Sequence, residues 1–390
     1  MQIRKSISLF LALLLACNLL VSASASTAKS QLDTAIAKAS TYLQKAVSEP
    51  QFGNEWLILG LARSGASVPQ SYFDRYYASV ENYVKNCKGV LHTKRYTEYS
   101  RTIVALSAIG ADPTDVAGYN LLTPLGDYDA TVGQGLNGAI WALIALDSGN
   151  YDMPINSSAN AQVTRQMYVD LILSRQLEDG GWNLSKSGRS DTDMTAMALQ
   201  ALAKYQDQAE VKQAVEKALN RLSELQNEDG GFSSYGVANA ESCVQVIVAL
   251  CELGVDLTDT RFAKNGHTAL DKLLSYQRAD GSFLYKADDA VSSGRASEHA
   301  LYGLAAALRA AEGKSSLYRM DDVKSTEPEK EEPSEPTQPM ENVTSKPATV
   351  TRIKKLPALA AEEWIPCQLM DCRLAQSFFD MKTIYYNLLP

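Results

Sequence analysis

The chain has 390 residues and a formal charge of −8, and its basic residues form no stripe, so nucleic acid is not an expected partner. Hydrophobic residues make up 45% and charged residues 21%, enough apolar content for a sizeable core in one large domain or two medium ones. Six cysteines, scattered over the chain, exclude a fold built on disulfides.

Residues 1–25 read as a signal peptide. Arg4 and Lys5 give a basic start, Ile7–Val21 is mostly apolar, and Ala23-Ser24-Ala25 is a small-residue cleavage site. A secreted or cell-surface location is therefore expected. Leu14-Leu15-Ala16-Cys17 offers a competing lipoprotein box, with anchoring at Cys17. From Gln31 to Arg319 nearly every segment has helical periodicity. Leu32, Ala35, Ile36, Ala39 and Leu43 mark the first helix, and Glu55–Ser64, Ser71–Lys85 and Glu98–Ile109 follow. Asp112–Asp129 is looser, with Pro113, Gly118, Pro124 and Gly126. The remaining predicted helices are Asn137–Leu146, Val163–Gln176, Asp193–Tyr205, Val211–Gln226, Glu241–Leu253, Thr268–Gln277 and Glu298–Ala311.

Two kinds of helix alternate. Val163–Gln176, Val211–Gln226 and Thr268–Gln277 each carry one apolar and one charged face, as a helix on the outside of a domain should. Cys243–Leu253 and Ala300–Leu308 are apolar nearly all round and must be buried. With Pro113–Asn120 as the outer member of the third pair, six hairpins result, and six can close into a ring of inner helices covered by outer ones.

One heptapeptide joins outer to inner helix. It reads Q-L-E-D-G-G-W at Gln176–Trp182, Q-N-E-D-G-G-F at Gln226–Phe232 and Q-R-A-D-G-S-F at Gln277–Phe283, with its aspartates 50 and then 51 residues apart. Gly180, Gly230 and Gly281 suit a left-handed residue after a helix, and Trp182, Phe232 and Phe283 suit wedges between hairpins. The further alternating carboxylates of a calcium loop are missing, so the motif is expected to be a joint. Residues 320–352 have the composition of a disordered Pro/Glu-rich linker, available for attachment to a cell surface or a partner module, and 353–390 form a tail with no readable period.

These repeats, each followed by an apolar helix, resemble the α/α-toroid repeats of squalene and terpenoid cyclases and protein prenyltransferase β subunits. The likeness is strongest over Gln162–Ala311, and it is closest to exported single-toroid bacterial members. It implies an all-α α/α toroid over residues 26–319. It also implies that the Gln and aromatic residue of the motif brace neighbouring hairpins and take no catalytic part. Some such exported proteins continue into a transcobalamin-like module, which makes a corrinoid one candidate ligand.

Candidate site residues come from the starts of the inner helices. Aligned on their Ala-Leu pairs, these helices place Thr97, Asn137, Asp193, Glu241 and His299 at one level, with Glu55, Glu98 and Asp191 near. Helix capping accounts for such residue types. In a ring they would also converge on one mouth, with Trp56, Tyr99, Trp141 and Tyr302 as aromatic neighbours. The expectation is a binding or scaffold module that takes a small, bulky or apolar ligand at Trp56, Glu98, Tyr99, Asn137, Trp141, Glu241 and His299. The alternative is a cyclase-type enzyme, because Ser190–Thr195 (S-D-T-D-M-T) resembles the D-x-D-D-T of alkene-protonating cyclases. That resemblance makes Asp193 the general acid beside Asp191, with Met194 replacing the third aspartate. Two further alternatives are a carbohydrate-active enzyme using paired carboxylates and a prenyltransferase-like zinc site at Glu241, Cys243 and His299. No cofactor is expected.

Overall fold

A computed structural model describes residues 29–324. The expected leader, linker residues 325–352 and the tail, with Cys17, Cys367 and Cys372, lie outside the described residues. The helices are α1 (29–46), α2 (Glu55–Arg63), α3 (Gln70–Asn86), α4 (Thr97–Ala108), α5 (Tyr128–Val132), α6 (Leu136–Ser148), α7 (Arg165–Ser174), α8 (Thr192–Leu202), α9 (Ala209–Leu225), α10 (Ala240–Leu253), α11 (Ala269–Ser275) and α12 (Gly294–Ala311). Two short antiparallel hairpins, Ser233–Ala238 and Ala263–Thr268, sit in the loops.

The even-numbered helices form the inner ring of an α/α toroid. Each packs on the next, and α12 packs back on α2. Burial follows the predicted division. In α10 every residue from Ala240 to Cys251 is buried, whereas α9 buries one stripe of Val211, Ala214, Val215, Ala218, Leu219 and Leu222. Close approach between inner helices needs small residues. A β-carbon on Gly60 would meet Leu301, and one on Gly303 would meet Val244.

The third hairpin differs from expectation. Pro113–Asn120 forms no helix. It makes a tight turn closed by a Val116–Tyr119 bridge, with positive φ at Ala117 and Gly118. The outer position there is filled by a 3-10 turn (Thr123–Gly126), α5, and the loop that follows α6. Tyr128 N–H donates to Ala161 O, and Tyr168 OH donates to Leu125 O.

The repeated heptapeptide joins one hairpin to the next. Gln176 Nε2 donates to Gly180 O within its own turn and to Ala214 O in α9 (2.8 Å). Gln226 Nε2 donates to Gly230 O and to Phe262 O, just before α11 (2.9 Å). Gln277 Nε2 donates to Ala35 O of α1 (2.9 Å), and this bond ties the last repeat to the first. The aromatic wedges are fully buried, and Trp182 also donates its indole N–H to Ile172 O. The motif glycines have positive φ, but they lie in a turn beyond the helix end and not at the C-cap itself. Their second reason is proximity. A β-carbon would lie 2.9 Å from Lys217 O at Gly180, 2.7 Å from His267 C at Gly230, and deep inside contact with Lys38 O at Gly281.

Gly281 and Gly188 share a positive φ, but nothing lies near Gly188. Gly188→Ala should cost about 1 kcal/mol from backbone strain alone. Gly281→Ala should cost about 1–3 kcal/mol more, because it forces the last repeat off the first. Urea denaturation of the two variants checks this, and equal losses would contradict the close approach.

Candidate functional site at the N-terminal mouth

The inner helices start at one end of the ring, and their caps set the register there. Asp191 caps α8 by accepting from Met194 N–H, Asn239 caps α10 from Ser242 N–H, and Ser293 caps α12 from Ala296 N–H. Two residues beyond the six cap positions stand Trp56, Glu98, Asn137, Asp193, Glu241 and Arg295. Of the residues aligned at one level, Asn137, Asp193 and Glu241 stand in this register, Thr97 lies one residue before Glu98, and α12 starts four residues earlier than predicted. His299 lies one turn deeper, and Arg295 takes its place at the mouth. Aligning the caps Asp191, Asn239 and Ser293, and not the Ala-Leu pairs, would have found Arg295 from sequence.

Four residues beyond the caps, Thr195, Cys243 and Ser297 all serve the joint. Trp182 N–H donates to Thr195 Oγ1 and Phe283 N–H to Ser297 Oγ, both at 2.9 Å, and the Cys243 sulfur lies near the Phe232 main chain. The Cys243 thiol therefore faces the motif. Burial pushes its pKa up to about 12, the opposite of what a thiolate ligand needs. Among the described residues no three His, Cys, Asp or Glu side chains converge to hold a metal ion. Cys243 and Cys251 are free thiols.

One side of the mouth is a carboxyl cluster on α8, α10 and α12. Asp193 is half-buried at the surface of the ring, but its carboxyl is closely surrounded, and Oδ1 is buried with no donor. Burial, then the charge of Asp191, raises its pKa to about 7. Asp191 itself is fully engaged. Besides capping α8, its Oδ2 accepts from Ser234 Oγ (2.8 Å) and Tyr235 N–H (3.3 Å), pinning the Ser233–Ala238 hairpin at the rim. Glu241 is buried, which raises its pKa, and Arg295 Nε at 2.8 Å partly offsets this. Beside it His299 is held neutral, its pKa pushed down to about 3 by burial and then by Arg295. The 3.9 Å between His299 Nδ1 and Glu241 is therefore not an ion pair near neutral pH.

On the opposite side, Arg101 bridges Glu55 (3.3 Å) and Glu98, and Arg95 adds a second contact to Glu98 at 3.6 Å. Burial raises the Glu98 pKa. Burial and then Glu55 take Glu298, between α12 and α2, to about 7. Tyr99 does not join the mouth. Its hydroxyl accepts from Leu91 N–H and donates to Gly89 O, in the α3–α4 loop.

Below the mouth the axis is filled. The Trp56 ring lies 4.9 Å from Trp141, 6.3 Å from His299 and 5.9 Å from Tyr302, and Trp141 meets Tyr318 at 6.2 Å. Trp141, His299, Tyr302 and Tyr318 expose at most 8% of their surface, too little for walls of a polyprenyl-sized void; Trp56 remains partly exposed. Deeper still, Gln200 donates to Gln245, Gln245 to Tyr302 OH, and Tyr318 OH to Gln200. The axis expected to be a cavity is thus closed below the mouth, where the partly exposed Trp56 lies among carboxyl and guanidinium groups.

Residues 126–295 match the family model of the prenyltransferase alpha-alpha toroid domain. The match spans 170 of the 390 residues and agrees with the α/α toroid fold described above. No curated protein matches this toroid by sequence. Among solved structures it is similar to the type II terpene cyclase MstE from Scytonema, at 14% identity, over 71% of this chain and 98% of that one, with a TM-score of 0.46. It is similar to the unsaturated glucuronyl hydrolase of Bacillus sp. GL1, at 14% identity over 75% and 99%, with a TM-score of 0.49. It is also similar to the protein geranylgeranyltransferase-I of Candida albicans, at 13% identity over 69% and 90%, with a TM-score of 0.45.

The toroid's Asp193 gives a pH signature. The fold raises its pKa from the usual 3.8 to about 7, so it favours the protonated carboxyl. The stability this contributes is complete below the unfolded value and is lost as pH rises through 7. Asp193→Asn removes this loss and leaves Glu298 in place. Thermal melts from pH 4 to 8 should show the variant gaining on wild type as pH rises; parallel curves would place Asp193 in an ordinary solvated setting.

Proposed function

We propose that the toroid is an exported or cell-surface binding module that takes a small molecule into the mouth. The observation that carries this reading is the partly exposed Trp56 ring, tilted 50° against Trp141 of the aromatic plug, at a level where the other five inner helices present polar or charged side chains. An aromatic floor takes up the flat apolar face of a ligand, and Asn137, Asp193, Glu241 and Arg295 offer hydrogen bonds at its edge. Corrinoids and glycans both fit this description chemically. The leader and the linker expected from sequence would place such a module outside the cell.

A second reading, an acid-catalysing enzyme of the cyclase type with Asp193 as general acid, is favoured by one observation. The Asp193 carboxyl retains its proton up to about pH 7. Two features weigh against alkene protonation. Such a carboxyl is a weak acid, and the aromatic plug leaves little depth for a long isoprenoid.

A thermal-shift panel of cobalamin, oligosaccharides and geranylgeranyl diphosphate separates the readings. A ligand of the binding module should raise Tm, and Trp56→Ala should weaken it at least tenfold, or about 1.4 kcal/mol. Incubation with squalene or geranylgeranyl diphosphate should give no cyclised product from wild type or Asp193→Asn. A product formed by wild type and lost in Asp193→Asn would replace the binding reading with the enzymatic one.

A further inference from the structure

The opposite end of the ring, where the inner helices finish, is covered by residues 313–324. This strap has no helix of its own, yet Leu317 is fully buried and Tyr318 and Met320 nearly so. Five inner helices hold it. From α2, Arg63 donates through Nε to Leu317 O (3.2 Å), through Nη2 to Ser316 O (2.9 Å) and Arg319 O (2.7 Å), and through Nη1 to Asp322 Oδ1 (2.7 Å). From α12, Arg309 donates through Nε to Ser315 O (2.6 Å) and pairs with the other Asp322 oxygen. From α10, Glu252 accepts from Ser316 Oγ (2.6 Å) and Tyr318 N–H (3.1 Å). Ser148 O of α6 accepts from Met320 N–H, and Gln200 of α8 accepts from Tyr318 OH.

These contacts differ from those inside the ring. The helices of the ring meet mainly through apolar side chains, whereas the strap is read by side chains that address main-chain groups and one carboxylate. Both arginines are buried, and burial works against the charge of Arg63. Nearly all their hydrogen bonds go to the strap. Arg63 and Arg309 repel one another across this short gap, and Asp322 is the carboxylate between them. Arginines so placed form a receptor for an extended peptide that presents main-chain carbonyls and one carboxylate.

We propose that the end of the ring opposite the mouth is a peptide-binding site whose resident ligand is the chain's own segment 313–324, docked as a releasable plug. The site takes a tyrosine into the axial core and a carboxylate four residues later between two buried arginines. With Tyr318 against Trp141, the docked plug also buttresses the floor of the mouth from below. The proposal does not depend on what the mouth binds.

The first test is native-state hydrogen exchange on the full wild-type chain. Amides of Tyr318 and Met320 should exchange at least a hundredfold faster than those of Val246–Leu250 in α10, through an opening that leaves the ring folded. Exchange of both sets at one rate, by global unfolding alone, would overturn the proposal. The second test adds a fluorescein-labelled peptide of sequence 313–324 to the full chain. Asp322→Asn should bind it at least tenfold more tightly than wild type, whose site is occupied, and Asp321→Asn, an exposed neighbour, should behave as wild type. Failure of the peptide to bind a folded Asp322→Asn chain would overturn the proposal. Failure of that variant to fold would do so as well, because the strap would then be an indispensable part of the core.

Discussion

One hydrogen bond decides whether this chain is a row of hairpins or a ring. In each repeat a glutamine Nε2 reaches a main-chain carbonyl of the following unit, and at Gln277 the following unit is α1, at the other end of the toroid. The bond works only because Gly281 lets the turn come against Lys38 O. Its net worth is modest, of order 1 kcal/mol. What it secures is larger: the buried contact of α12 with α2, and with it the shelter of every inner helix on both flanks.

Closure also makes the candidate site. The mouth is assembled from one position per hairpin, two residues beyond each inner cap: Trp56, Glu98, Asn137, Asp193, Glu241 and Arg295. Crowding of unlike groups explains the electrostatics. Burial and Asp191 keep a proton on Asp193, Arg295 holds Glu241 and keeps His299 neutral, and Arg101 ties Glu55 to Glu98.

The architecture was largely legible in the sequence, because periodicity reports burial directly. The all-round apolar run of Cys243–Leu253 and the one-sided stripe of Val211–Gln226 could only be inner and outer helices. The joint was legible because it repeats. Three things were hidden. The third outer helix is replaced by turns at Pro113 and Gly118, and a loop remote in sequence covers the gap. The start of α12 reads as polar loop, because Gly294, Arg295 and Ser297 owe their helical state to the cap at Ser293 and to tertiary contacts. The strap has the composition of a linker, and its burial rests on Arg63 and Arg309, whose partners no local pattern announces. The plugging of the axis by Trp141, Tyr302 and Tyr318 was likewise invisible, since side chains far apart in sequence meet only after closure.

The central claim is that ring closure brings the carboxyls of separate repeats into one mouth, where the pKa of Asp193 is raised to about 7. A carbon-13 carboxyl titration of the full chain, with the Asp193 resonance assigned by its absence in Asp193→Asn, addresses this directly. The expected midpoint is about 7, against the ordinary 3.8. A midpoint near the ordinary value would mean a solvated, isolated aspartate, and would contradict both the crowded mouth and any chemistry assigned to it.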